Sequence, residues 1–116
     1  MGAESHERET AVKSEANIQN KILIALSEAG CLVWRQNTGA YRDKTGRVIR
    51  YGLCVGSSDI IGLTPSGKFL AVEVKAATGR ISPAQQRFID AVNRAGGSAG
   101  VARSVDDALK IALDHN

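Results

Sequence analysis

Apolar residues change their spacing several times along the chain, and each change marks an element. Ile18, Ile22, Ala25, Leu26 and Ala29 recur at helical spacing, with Ser14 as the expected N-cap and Gly30 as the C-terminal stop. Residues 1 to 13 are charged and lack an apolar period, so they are expected to form a disordered lead ahead of one domain over 14–116. CLVWRQN (31–37) reads as a strand, and the segment from there to Gly52 as an exposed loop or an irregular hairpin. SDIIGLTPSGKFLAVEVK (58–75) holds two β-rich runs around Pro65, Ser66 and Gly67, which is hairpin chemistry. Ser82 opens a second helix with Pro83 at its first position and Gln85 where a capping box needs it; Phe88, Ala91, Val92 and Ala95 form its stripe. SAGVAR (98–103) is a short strand, and Ser104 caps a last helix whose Asp106 and Asp107 suit its positive end. The order is α-β-β-β-α-β-α, a mixed α/β domain with helices able to cover both faces of its sheet.

Composition narrows the chemistry. The 116 residues make one domain, and no apolar run approaches the roughly 18 residues of a membrane span. The polar start has no signal-peptide core, which makes a cytoplasmic setting the default. Cys31 and Cys54 lack a CxxC partner or a nearby histidine and read as reduced packing residues. The two histidines, His6 and His115, stand near the ends, so histidine-based catalysis and histidine-ligated metals are set aside. Carboxylates and lysines remain. The net charge of +3 is concentrated between Arg35 and Arg50, where Arg35, Arg42, Lys44, Arg47 and Arg50 face Asp43 alone.

A hairpin closed symmetrically about Ser66 places Thr64 opposite Lys68, Ile61 opposite Ala71 and Asp59 opposite Glu73. Directly opposed side chains have Cβ atoms about 4.5 to 5.5 Å apart, so two carboxylates there need a proton or a cation between them. Oxygen-only ligands favour a hard ion, Mg²⁺ or Mn²⁺. Lys75 lies two residues beyond Glu73 on the same strand face, where it can stabilise charge developing on a phosphate. The bland alternative is a solvated strand end with an ion pair worth about 0 to 1 kcal/mol.

GSSDIIGL, FLAVEVKAATGRISPAQQRFIDAV and GGSAGVARSVDDA occur in an order that resembles the VRR-NUC branch of the PD-(D/E)XK nuclease superfamily in its stand-alone form, from about Ser14 to Leu113. The resemblance implies an αβββαβ core with a central mixed sheet flanked by helices. It also implies metal binding by Asp59, Glu73 and the Val74 carbonyl, with Lys75 as the catalytic lysine. Glu15 and Gln19 match the ExxxQ arrangement beside the metal, adding Glu15 to the ligands, and both fall near one edge of the first helix's stripe. Gln85 matches a glutamine near the active site, although its place in the capping box explains it equally well. Ser58 stands where the superfamily usually has proline.

The implied activity is that of a Mg²⁺-dependent, structure-selective DNA endonuclease, with Mn²⁺ able to substitute. Branched DNA such as a Holliday junction is its expected substrate in DNA repair, and a homodimer its expected state. The setting is the cytoplasm of a bacterial or phage-infected cell, with no membrane and no small-molecule cofactor. Arg35, Arg42, Lys44, Arg47, Arg50 and Arg80 are candidate phosphate contacts. Tyr41 and Tyr51 are candidates for stacking, while Trp34 and Tyr51 are expected more often as packing residues. The competing reading is a nucleic-acid-binding module that keeps the fold without catalysis.

Overall fold

A computed structural model describes the backbone of residues 2–36, 39–51 and 56–113 and the side chains of 14–36, 42–49 and 56–113. The elements run α1 (Gly2–Glu28), β1 (Leu32–Arg35), β2 (Gly39–Arg42), β3 (Val48–Tyr51), β4 (Ile60–Leu63), β5 (Phe69–Val74), α2 (Pro83–Arg94), β6 (Ser98–Ala102) and α3 (Val105–Leu113). Cys54 and His115, and the side chains of His6, Tyr41, Arg50 and Tyr51, lie outside the described residues.

Four strands form one sheet in the order β1-β4-β5-β6. β1, β4 and β5 are antiparallel neighbours, and β6 joins β5 in parallel after the crossover through α2. The fold is thus mixed α/β, with the central sheet and flanking helices expected from the sequence. β5 lies inside the sheet under helices on both faces, which is why FLAVEV reads as a nearly continuous apolar run interrupted by one glutamate.

Strand alternation divides the core in two. On one face, Ile60, Leu70, Val72, Val74 and Ala102 pack with Ile22 and Leu26 of α1 and Ala108 and Ala112 of α3. On the other, Ile61 and Ala71 pack with Val92 of α2, flanked by Phe88 and Ala99. α1 ends as expected at Gly30, where the Cys31 and Gly30 amides donate to the Leu26 and Ser27 carbonyls. This closure needs the left-handed backbone of Gly30, whose φ is 94°.

Two boundaries differ from expectation. α1 does not begin at Ser14 after a disordered lead but runs from Gly2. Residues 2–13 carry alanine, glutamate and arginine, whose intrinsic helix preference needs no apolar stripe. Between residues 39 and 51 the basic segment is a regular hairpin rather than a loop or an irregular one: β2 pairs with β3, Arg42 opposite Val48. Its turn is tied by Asp43, which accepts from the Thr45 and Arg47 amides and from the Thr45 hydroxyl at 2.6 Å. These bonds, the Thr45 side chain's first, hold the Asp43 carboxyl below its ordinary pKa.

Leu26 is wholly buried and Ile24 on the same helix is 61% exposed. Leu26→Ala is therefore expected to destabilise the protein by about 2 to 5 kcal/mol. Ile24→Ala should change stability by less than about 0.5 kcal/mol. Urea unfolding of both variants measures the difference.

Candidate active site

The β4–β5 register is the one expected: Ile60 faces Val72, Ile61 faces Ala71 and Leu63 faces Phe69, with the Thr64 amide donating to the Lys68 carbonyl across the turn. Continued by one residue, it brings Asp59 to Glu73. The Asp59 carboxylate is near enough to raise the pKa of Glu73. Asp59 is fixed there by two hydrogen bonds: its carboxylate accepts from the Val74 amide at 3.0 Å, and its carbonyl accepts from the Gln36 amide at 2.7 Å. The preceding segment is held against α2 by Gly56, whose φ is 85° and whose missing Cβ would overlap the Ala84 carbonyl.

Glu73 is only 2% exposed. Its Oε2 accepts from Gln85 Nε2 at 2.9 Å and lies 3.6 Å from Lys75 Nζ, while its Oε1 has no hydrogen-bond partner among the described residues. Gln85 fills both roles that its position allows. Its Oε1 accepts from the Ser82 amide and its own amide donates to Ser82 Oγ, completing the capping box. Because the amide oxygen is committed to an N–H, the nitrogen must be the end that meets Glu73.

Burial is the largest influence on Glu73 and pushes its pKa up to about 7; Asp59 adds to the shift and Lys75 opposes it. A buried carboxylate beside a second carboxylate, with one orphaned oxygen, suits a hard cation by the chemistry of its donors. Asp59 and Glu73 would supply the side-chain ligands. The Val74 carbonyl leaves the strand on the same side as the Val74 amide, toward Asp59, because the two groups of one strand residue point the same way.

Glu15 and Gln19 are half buried on α1, and neither makes a hydrogen bond to Asp59 or Glu73 among the described residues. Helical spacing puts them near a common edge, but α1 covers the Ile60 and Val72 face, whereas Asp59 and Glu73 alternate onto the α2 face. Nor do three or more His, Cys, Asp or Glu side chains converge as metal ligands among the described residues. Arg35 ends β1 and is exposed, as are Arg42, Lys44, Arg47 and Arg80. Arg42 also donates to the Gly46 carbonyl within the hairpin. Trp34, expected to pack, is 46% exposed.

Arg103 escaped the sequence reading. Its guanidinium donates to the Ala76 carbonyl at 2.6 Å and reaches that of Ala77, while the Lys75 amide donates to the Ala102 carbonyl. The end of β6 thus braces the chain just after Lys75. The available signal was its place directly after a strand parallel to the one bearing Glu73. Ser57 and Ser58 carry buried hydroxyls without hydrogen-bond partners among the described residues.

Residues 13–106 match the VRR-NUC domain family, most of the chain and all of the Asp59, Glu73 and Lys75 constellation. The chain belongs to the VRR-NUC family. A solved VRR-NUC domain structure superposes with a TM-score of 0.59 at 23% identity, covering 88% of this chain and 96% of that one. No curated protein matches significantly. The VRR-NUC domain is of a nuclease type, and the architecture here is the one that family shares.

Glu73 gives this VRR-NUC domain a pH signature. With its folded pKa near 7 and its ordinary value at 4.5, the folded protein alone holds the proton between these values. Folded stability in chelator should therefore fall as pH rises from about 4.5 to 7. Glu73→Gln should flatten that slope. Thermal unfolding of both proteins across this range is the check, and identical slopes would assign the pH dependence elsewhere.

Proposed function

We propose that this VRR-NUC domain is a Mg²⁺-dependent, structure-selective DNA endonuclease that hydrolyses phosphodiester bonds in branched DNA such as Holliday junctions, working as a homodimer. The observation that carries the reading is the Asp59–Glu73 pair with Lys75 Nζ 3.6 Å from Glu73 and one buried carboxylate oxygen left without a partner. The family supports the nuclease class; junction preference and dimer rest on the sequence resemblance.

In this reading, Asp59, Glu73 and the Val74 carbonyl hold Mg²⁺, with Mn²⁺ able to replace it. The ion would neutralise charge on the phosphate and make the attacking water more acidic. Lys75, confined near Glu73, stabilises charge that develops on the phosphate oxygens. Gln85 keeps the Glu73 carboxylate oriented from a capped helix end. Arg35, Arg80 and the arm carrying Arg42, Lys44 and Arg47 supply phosphate contacts, and Arg50 is assigned with them from sequence alone. A symmetric dimer would present two such sites to the two strands of a junction.

The test is cleavage of a labelled four-way junction, a flap and a linear duplex, with Mg²⁺ and with chelator. The junction should be cut most rapidly, and only with metal. Lys75→Ala should lower the rate by about 100-fold or more. Equal cleavage in chelator, or an unchanged rate in Lys75→Ala, would overturn the proposal.

A further inference from the structure

The sheet face that carries Asp59 and Glu73 is covered unevenly. α2 packs on β5 and β6, and toward β1 the same face leaves Trp34 46%, Leu32 63% and Leu63 39% exposed. Trp34 faces Ile61 in the β1–β4 register, so strand alternation sets its side chain on the face of Ile61 and Asp59. Asp59 is the diagonal neighbour of Trp34, at about 7 to 8 Å. The end of β1 is also pinned to the site, since the Gln36 amide donates to the Asp59 carbonyl. A large flat aromatic therefore stands on the same face as the carboxylate pair, one diagonal step from Asp59.

We propose that Trp34 is a stacking platform for an unpaired nucleobase of the strand whose phosphate lies at the Asp59–Glu73 pair. This deepens the nuclease reading and rests on it. Every base has an aromatic face, so an indole holds one without regard to sequence, but only a base already out of its duplex exposes that face. The separation from Asp59 is on the scale of one nucleotide. A base on Trp34 and an adjoining phosphate at the carboxylates would thus belong to the same stretch of strand. The platform supplies a physical reason for preferring strands with unpaired or splayed positions over uninterrupted duplex. A second protein copy is the competing occupant; continuity with the carboxylate pair on the same sheet face favours a nucleic-acid strand.

Trp34 is the only tryptophan of the chain, so its fluorescence reports this position directly. The experiment titrates the full chain in chelator with a single-stranded oligothymidylate and with a blunt duplex of equal length. The single strand should quench Trp34, and the duplex should do so much less. Trp34→Ala should weaken single-strand affinity about tenfold, with the dependence of affinity on salt unchanged because stacking neutralises no phosphate. Trp34→Phe should restore most of the affinity. With Mg²⁺, Trp34→Ala should raise KM for a junction substrate and leave kcat near that of the unaltered protein.

Unquenched Trp34 at saturating oligonucleotide, or equal affinity in Trp34→Ala, overturns the platform. So does a change in Trp34 emission with protein concentration alone, which would assign the face to a second copy. Metal-dependent cleavage with unquenched Trp34 would remove the platform and leave the nuclease reading standing. Absence of both cleavage and oligonucleotide binding would remove the two together.

Discussion

The pairing of β4 with β5 is the constraint on which the rest depends. It is one register with two consequences, because neighbouring residues of a strand point to opposite faces. Ile60 and Val72 enter the core under α1, and Asp59 and Glu73 are carried to the other face as the next pair along. Burying a side chain such as Ile60, Leu70 or Val72 contributes about 1.5 to 3 kcal/mol. All three are wholly buried. Like charges directly opposed in a sheet are destabilising, so the core register carries to this pair a geometry that the two carboxyls alone would oppose. A slip by one residue would expose those apolar side chains and disperse the carboxyls together.

Glu73 is where folding and chemistry pull in opposite directions. Its neighbours on β5 are apolar and buried, and one of its oxygens has no partner. Gln85 and Lys75 satisfy the other oxygen from outside the strand. Burial first, and Asp59 after it, raise the pKa of the group to about 7. An alanine or valine would pack this position without that penalty. The glutamate is an exception to the local pattern of its own strand, and such exceptions are expected at functional sites.

The parts of this arrangement readable from sequence were those governed by short-range rules. Turn chemistry at Pro65-Ser66-Gly67 placed the hairpin centre, and two-residue alternation then delivered the Asp59–Glu73 pairing without any tertiary information. The capping box did the same for Gln85, although propensity could not reveal that one side chain caps a helix and reaches Glu73 at once. The misses are long-range. Helical periodicity found the buried stripe of α1, but not that it packs on the Ile60 and Val72 face of the sheet, whereas Asp59 and Glu73 alternate to the other. Arg103 belongs to the same class: its partners are the carbonyls of Ala76 and Ala77, distant in sequence and brought near only because β6 lies parallel to β5. Trp34 was assigned to packing because tryptophans usually pack, and its exposure depends on where α2 stops covering the sheet.

That limit of coverage also orients the site. α2 begins at the capped Ser82, close to Glu73 through Gln85, and runs over β5 and β6. The α2 side of the carboxylate pair is therefore closed by protein, while the β1 side stays exposed around Trp34 and Leu32. In chain order the β2–β3 hairpin lies between β1 and β4. Asp43 is committed to holding the turn, which leaves Arg42, Lys44 and Arg47 on a short, internally bonded support. On the nuclease reading, a strand reaches the carboxylates from the β1 side, past Trp34.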